Sequence, residues 1–213
     1  MARRARRGGT TSGNLVQSTE VRSSRHGVEI TQRVRRADGQ LPPGLTRVEF
    51  AFPPGTRLNA AAFPRCSSAT LQAKGPSACT PRARVGSGLV RAQLPFRFPH
   101  EFSGTLRIFN GTRPKHTNGR QLLAVVRPEA GPPFVLVGLW SGSRRGGLRL
   151  TLTPPSEAIP GRTPDALVRL VLRIGARRGG ASFLRVPCPG TYRETARYFD
   201  GTVVTSTDRA RCR

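Results

Sequence analysis

Much of the chain alternates between apolar and polar residues with a period of two. Side chains of a β-strand point alternately to the two faces of a sheet, so this period predicts strands. The polar residues between the apolar ones predict antiparallel sheets with one face in water. The apolar series are Val28, Ile30 and Val34; Val48, Phe50 and Phe52; Leu94, Phe96 and Phe98; Leu106 and Ile108; Leu148, Leu150 and Leu152; and Val168, Leu170, Leu172 and Ile174.

Two stretches and one turn add to this pattern. Residues 121–127 and 134–140 are apolar almost throughout, which predicts strands at the centre of a sheet. Asp200-Gly201 separates two alternating runs, 191–199 and 202–207. An Asp-Gly pair in that position is typical of a tight β-hairpin, so the last part of the chain is predicted to be one.

Only one segment has helical features. Residues 67–73 follow a possible N-cap, Ser67 or Ser68, and Gly75-Pro76 would end a helix there. Many short strands, regular turns and one short helix predict an all-β fold. Within that class we expect an antiparallel β-sandwich of jelly-roll or immunoglobulin-like topology.

The predicted domain boundary lies near residue 28. Residues 1–27 combine arginines with Gly, Ser and Thr and have no apolar period, which predicts a flexible basic arm. Residues 28–213 then form a single sandwich domain. The opening MARRARRGGTTSGN resembles the charged start of an export signal, but no apolar stretch follows it. No run reaches the ~18 apolar residues of a transmembrane helix.

The chain is strongly basic. It has 36 Lys plus Arg against 11 Asp plus Glu, a formal net charge of +25, and its only lysines are Lys74 and Lys115. A field of this sign attracts polyanions without sequence preference. The candidate anion-binding residues lie in three predicted turns and are Arg113, Lys115 and Arg120; Arg144 and Arg145; and Arg177 and Arg178.

The four cysteines flank local units. Cys66 and Cys79 flank the predicted helix, and Cys188 and Cys212 flank the predicted final hairpin. This arrangement predicts the disulfides Cys66–Cys79 and Cys188–Cys212, and persistent disulfides indicate an oxidising compartment. Four buried free thiols are the alternative. A zinc site is disfavoured, because the spacing is not that of a zinc knuckle.

Two stretches resemble a known group of proteins. They are FPPGTRLNAAAFPRCSSATLQAKGPSACTPRARVGSG at 52–88 and CPGTYRETARYFDGTVVTSTDRARC at 188–212. Over about residues 44–212 the chain is similar to uncharacterised, Cys-containing exported proteins of high-GC actinobacteria. The resemblance implies an extracytoplasmic, disulfide-bonded, mainly β domain, and it implies no activity.

No catalytic pattern stands out. The few acids are spread over the chain, no G-x-S-x-G or Walker motif occurs, and the glycine-flanked serines at 85–89 and 140–147 are predicted to lie in turns. A hydrolase using His100 or His116 is the least favoured class. We expect no cofactor and a non-catalytic extracytoplasmic structural or binding module that adheres to anionic envelope polymers. The alternative is a cytosolic protein associated with nucleic acid.

Overall fold

The computed structural model describes residues 9–24, 26–93, 101–113, 119–129, 131–143, 147–154 and 166–212. These residues are mostly β-strand. The strands are β1 (Gly9–Ser12), β2 (Leu15–Ser24), β3 (Gly27–Arg36), β4 (Leu45–Ala51), β5 (Arg57–Leu58), β6 (Arg84–Gln93), β7 (Glu101–Asn110), β8 (Arg120–Pro128), β9 (Phe134–Ser143), β10 (Gly147–Thr153), β11 (Ala166–Ile174), β12 (Arg177–Arg178), β13 (Ala181–Ser182), β14 (Leu184–Arg185), β15 (Thr191–Tyr198), β16 (Val203–Arg209) and β17 (Arg211–Cys212).

The predicted helix is confirmed as α1 (Ser68–Lys74). The Ser67 hydroxyl caps it by accepting the Thr70 backbone N–H at 2.9 Å. Gly75 ends it with a φ of 73°, a conformation that favours glycine. Three short 3₁₀ turns accompany the helix between β4 and β6, at Ala60–Ala62, Pro76–Ala78 and Pro81–Ala83.

Thirteen strands form one sheet, which confirms the all-β prediction. Its order is β1-β2-β3-β11-β6-β7-β8-β9-β10-β4-β15-β16, with β17 pairing in parallel with β2. The sheet curls until β16 lies against β1 and β2, so it is nearly closed around one core. Because the strands follow one continuous path, the two separate sheets of the predicted sandwich cannot be distinguished.

Because neighbouring strands along this path are antiparallel, each connection between strands lies at one of the two ends of the sheet. At the first end β4, β7, β9 and β11 finish and β6, β8 and β10 begin. Both disulfides are near this end, which we call the disulfide end. At the opposite, distal end lie the β3–β4 connection and the β15–β16 hairpin. In the described part of the chain, no helix is long and apolar enough to cross a membrane.

The prediction of a flexible arm is wrong for residues 9–24, which form β1 and β2 in the main sheet. The inward positions of β2 include Gln17, Thr19 and Ser23, all buried. Because these inward residues are polar, the strand lacks the apolar alternation that marks β3. Residues 1–8 and Arg25 lie outside the described residues.

The prediction of a turn at 85–89 is also wrong, because these residues belong to β6. Gly86 and Gly88 let the neighbouring strand approach closely. A Cβ atom at Gly86 would lie 2.2 Å from the Arg173 carbonyl oxygen, and one at Gly88 would lie 2.1 Å from that of Val171. The glycines therefore serve strand packing at this position.

Residues 121–127 lie centrally, as predicted, because β8 is covered on both faces. Leu122, Ala124 and Val126 face the main core, whereas Leu123 and Val125 belong to a second cluster under α1. The Asp200-Gly201 hairpin is confirmed between β15 and β16, with Gly201 at a φ of 83°. The predicted strand at Leu94–Phe98 lies outside the described residues.

Strand β11 departs from the predicted phase at one residue. A bulge between Leu167 and Arg169 shifts the register with β6. As a result Leu167 is buried and Val168 is only half-buried, while Leu170, Leu172 and Ile174 remain inside as predicted.

Candidate anion-binding surface

The topology brings the predicted arginine-rich turns to one end of the sheet. Arg113 follows β7, Arg120 begins β8, and Arg177 and Arg178 form β12 just after β11. All these strand ends belong to the disulfide end. Lys115, Arg144 and Arg145 lie outside the described residues.

Further cations lie at the same end and were missed from sequence. They come from the segment between β4 and β6, from β14, and from the chain around β16 and β17. A signal existed, because no acidic residue occurs between Glu49 and Glu101. The added side chains, all exposed, are Arg57, Arg65, Arg82, Arg84, Arg185, Arg209 and Arg211.

Some arginines on the outer faces of the sheet are in a different state, because carboxylates lie within ion-pair distance of them, whereas, among the described residues, Arg35, Arg107, Arg127, Arg169, Arg193 and Arg197 are exposed on strands without such a partner. Seven described arginines make such ion pairs, at partly exposed positions where each pair adds little stability. The pairs join Arg22 and Arg33 to Glu20, Arg22 and Arg173 to Glu29, Arg36 to Asp38, Arg47 and Arg149 to Glu49, and Arg91 to Glu101.

The seven cations added above at the disulfide end have no such partner. Within the described ranges, no carboxylate lies within ion-pair distance of Arg57, Arg65, Arg82, Arg84, Arg185, Arg209 or Arg211. Asp208, at the same end, instead accepts the backbone N–H of Val21 at 2.7 Å. The disulfide end is therefore a surface of uncompensated positive charge.

Arg57 and Arg185 are a cross-strand pair on this surface. They face each other directly across the two-stranded pair of β5 and β14, and both are exposed. Side chains at directly opposed positions are near neighbours, and like charges there repel. An anion bound between the two guanidinium groups would remove that repulsion.

Arg178 has a structural contact that distinguishes it from Arg177. Its guanidinium donates to the Pro81 carbonyl oxygen at 3.1 Å and lies 6.0 Å from the ring centre of Phe63. This contact holds β12 against the last 3₁₀ turn. Arg177 is exposed, whereas Arg178 is half-buried.

The two predicted disulfides are confirmed, Cys66–Cys79 and Cys188–Cys212. The first closes the loop that contains α1 and sets the position of Arg65 beside it. The second joins Cys188, which precedes β15, to Cys212 in β17. Both therefore fix segments that carry cations of the disulfide end.

Asn110 anchors the loop before Cys66. Its side-chain amide donates to the carbonyl oxygens of Ala60, Phe63 and Pro64 at 2.9, 3.0 and 3.1 Å, and the residue is 1% exposed. The side chain is thus enclosed by the loop that it holds, between β5 and α1.

We expect Asn110→Ala to lower the free energy of unfolding by about 1–3 kcal/mol, because the Phe63 and Pro64 carbonyl oxygens lose their donor. Urea unfolding followed by circular dichroism measures the change. The matched control is Asn14→Ala, since Asn14 is exposed and makes one 3.3 Å contact with Asp38. An equal effect of the two changes would contradict the anchoring role.

Glu101, which follows His100 in the chain, and Asp200 both have structural partners. Glu101 is paired with Arg91. Asp200 accepts the Thr202 backbone N–H at 2.9 Å within its hairpin. His100 and His116 lie outside the described residues. His26 Nδ1 is hydrogen-bonded to the Ser182 hydroxyl at 2.7 Å, which ties the β2–β3 hairpin to β13.

A buried polar cluster lies where the curled sheet closes; we call it the seam cluster. Gln17 donates to Glu194 Oε1 at 2.8 Å, and the Tyr198 hydroxyl donates to Gln17 Oε1 at 2.7 Å. The Thr19 hydroxyl is hydrogen-bonded to both Glu194 and Ser206. These contacts join β2 to β15 and β16, strands that share no backbone ladder with β2.

Glu194 is the ionisable member of the seam cluster. Burial raises the pKa of its carboxyl to about 8, against a smaller lowering by Thr19 and Gln32. The Gln32 amide favours the ionised form of the Glu194 carboxyl, yet Gln32 Nε2 and Oε1 have no hydrogen-bond partner among the described residues. Glu194 is thus mainly protonated at neutral pH and faces the protein interior.

No cluster of three or more His, Cys, Asp or Glu residues suited to a metal ion occurs among the described residues. Comparisons with family models, curated proteins and solved structures find no match to this chain.

Proposed function

We propose that this protein is a non-catalytic binding module that holds an anionic polymer against its disulfide end. The observation that carries the proposal is a group of exposed arginines that come from separate parts of the chain to the disulfide end and have no carboxylate within ion-pair distance. They are Arg57, Arg65, Arg82, Arg84, Arg185, Arg209 and Arg211.

Binding follows from multivalent charge contact. Guanidinium groups donate paired hydrogen bonds to phosphate or carboxylate oxygens, and each contact releases counterions from the polymer. The opposed Arg57 and Arg185 supply one focal pair. Single contacts at exposed positions are weak, so affinity comes from several repeating anionic units bound together.

The preferred partner is an acidic envelope glycopolymer, and the proposed location is extracytoplasmic. Two disulfides support this location, because such bonds persist in oxidising compartments. Binding of single-stranded nucleic acid relies on exposed aromatic side chains for stacking. Trp140, Tyr192 and Tyr198 are buried, and Phe199 is the one exposed aromatic side chain among the described residues.

Titration of the full chain with poly(glycerol phosphate), polygalacturonate, single-stranded DNA and neutral dextran tests the proposal. We expect saturable binding to the two acidic glycopolymers, no binding to dextran, and affinity that falls steeply as salt rises. Tighter binding to the DNA than to either glycopolymer would favour the nucleic-acid alternative. Affinity that does not change with salt would contradict a charge-based mechanism.

A further inference from the structure

The core beside the seam cluster contains an amide without a partner. Gln32, on β3, is fully buried, and neither its Nε2 nor its Oε1 is hydrogen-bonded to any described residue. Gln17, the other buried glutamine among the described residues, is engaged at both atoms, by Glu194 and by Tyr198. An unpaired buried amide lowers stability, so a role other than hydrogen bonding has to offset the presence of Gln32.

A buried hydroxyl lies directly opposite this amide. Thr19 on β2 and Gln32 on β3 are register partners in an antiparallel pair, and both are buried in the interior of the sheet. The Cβ atoms of such a pair are about 5 Å apart. The two side chains together therefore span the gap between Thr19 Oγ1 and Gln32 Cδ.

Glu194 is in contact with the same hydroxyl. The Thr19 hydroxyl donates to Glu194 Oε2, while Gln17 donates to Glu194 Oε1 at 2.8 Å and holds the carboxyl in place. The Ser206 hydroxyl is hydrogen-bonded to Thr19 Oγ1, and as the donor it leaves the Thr19 hydrogen for the carboxyl. The pKa of Glu194, about 8, lies near neutral pH, which suits a group that takes a proton and then returns it.

We propose that Thr19 Oγ1 forms an ester bond with Gln32 Cδ, and that Glu194 transfers the proton. The oxygen attacks Cδ while the ionised carboxyl of Glu194 takes the hydroxyl proton. Glu194 then gives this proton to Gln32 Nε2, the Cδ–Nε2 bond breaks, and ammonia leaves. One hydroxyl and one amide become one ester and one ammonia, and Glu194 returns to its starting form.

The surroundings favour the ester once it has formed. Thr19 is 3% exposed, Gln32 0% and Glu194 1%, so little water reaches the bond to hydrolyse it. The ester also lacks the two N–H donors that the Gln32 amide leaves unpaired. The result is a covalent link between β2 and β3 beside the seam, a modification that goes beyond the proposed function.

Mass spectrometry of the full wild-type chain, with its disulfides reduced, tests the proposal. We expect a mass lower than that of the sequence by one ammonia. Trypsin cleaves after arginine and releases residues 8–22 and 26–33 as separate peptides from an unlinked chain. The ester should join these two peptides, and mild alkali should separate them and leave Glu at position 32.

Variants identify the reacting groups. Thr19→Val removes the nucleophile and Glu194→Gln removes the base, so each should keep the full mass of its sequence. The matched control is Thr205→Val, because Thr205 is a half-buried threonine on the opposite face of β16 from Ser206. This control should still lose one ammonia.

Wild-type protein in which the two peptides are wholly separate would overturn the proposal, whether or not the variants fold. Loss of ammonia from another peptide, such as one with Asn110-Gly111, would overturn it as well. A folded Glu194→Gln variant that still contains the joined peptides would refute proton transfer by Glu194. None of these results depends on polymer binding, since arginines of the disulfide end take no part in the reaction.

Discussion

Loss of the Cys188–Cys212 disulfide should open the seam of the sheet. We expect Cys188→Ser/Cys212→Ser to lower the free energy of unfolding by about 3.5 kcal/mol from loop closure alone. Cys212 lies in β17, which pairs with β2, and the Ser23 hydroxyl of β2 donates to Cys188 Sγ at 3.2 Å. The bond therefore ties β17, which pairs with β2, to the chain just before β15, a strand that shares no backbone ladder with β2.

The measurement is urea unfolding combined with amide hydrogen exchange. The matched control is Cys66→Ser/Cys79→Ser, for which the shorter loop gives about 3 kcal/mol. The first double variant should lose protection in β2 and β16, whereas the second should lose it around α1. Loss of protection around α1 in both variants, with the seam unaffected, would refute this role of Cys188–Cys212.

The second large effect concerns Glu194 and pH. Because burial raises the pKa of Glu194 from 4.5 to about 8, the folded state holds its proton more tightly than the unfolded state. The stability from this proton is full below pH 4.5 and is lost as pH rises through about 8. We expect wild-type stability to fall by a few kcal/mol across this window relative to Glu194→Gln, which keeps a neutral side chain.

Urea unfolding at several pH values and constant ionic strength measures the difference between the two proteins. Asp38 does not interfere, because the Arg36 guanidinium lowers the pKa of its carboxyl to about 2, below the window. Its contribution has the opposite sign and is lost only as pH falls through about 2. If the free energies of unfolding of the wild type and Glu194→Gln changed in parallel from pH 5 to 9, Glu194 would be ionised when buried, contrary to this prediction.

The sequence predicts local structure well in this chain. Residues close together in the chain determine helix α1 and the Asp200-Gly201 hairpin. The disulfides could be predicted because each pair of cysteines flanks one such local unit. Strand β2 was missed because its inward residue Gln17 is matched by Glu194, 177 positions away. Polar pairs across such a distance leave no periodic signal, so burial of a polar strand cannot be derived from its own residues.

The candidate surface was predicted in part for a similar reason. Turns rich in arginine can be recognised one by one, but whether they share an end depends on strand order. Arg57 and Arg185 are opposed in two strands of two residues each, although they are 128 positions apart in the chain.

The most direct test of the proposed function compares two variants of equal charge. One replaces four arginines of the disulfide end with glutamine, and the other replaces four glutamate-paired arginines of the outer faces, so both fall from +25 to +21. The first set is Arg57, Arg65, Arg82 and Arg185, and the second is Arg33, Arg47, Arg149 and Arg173.

The measurement is the slope of log affinity for poly(glycerol phosphate) against log salt concentration. We expect the disulfide-end variant to lose about 3 from the magnitude of this slope and the outer-face variant to keep the wild-type value. Equal slopes for the two variants would show that net charge alone drives binding, and would contradict a defined anion-binding surface at the disulfide end.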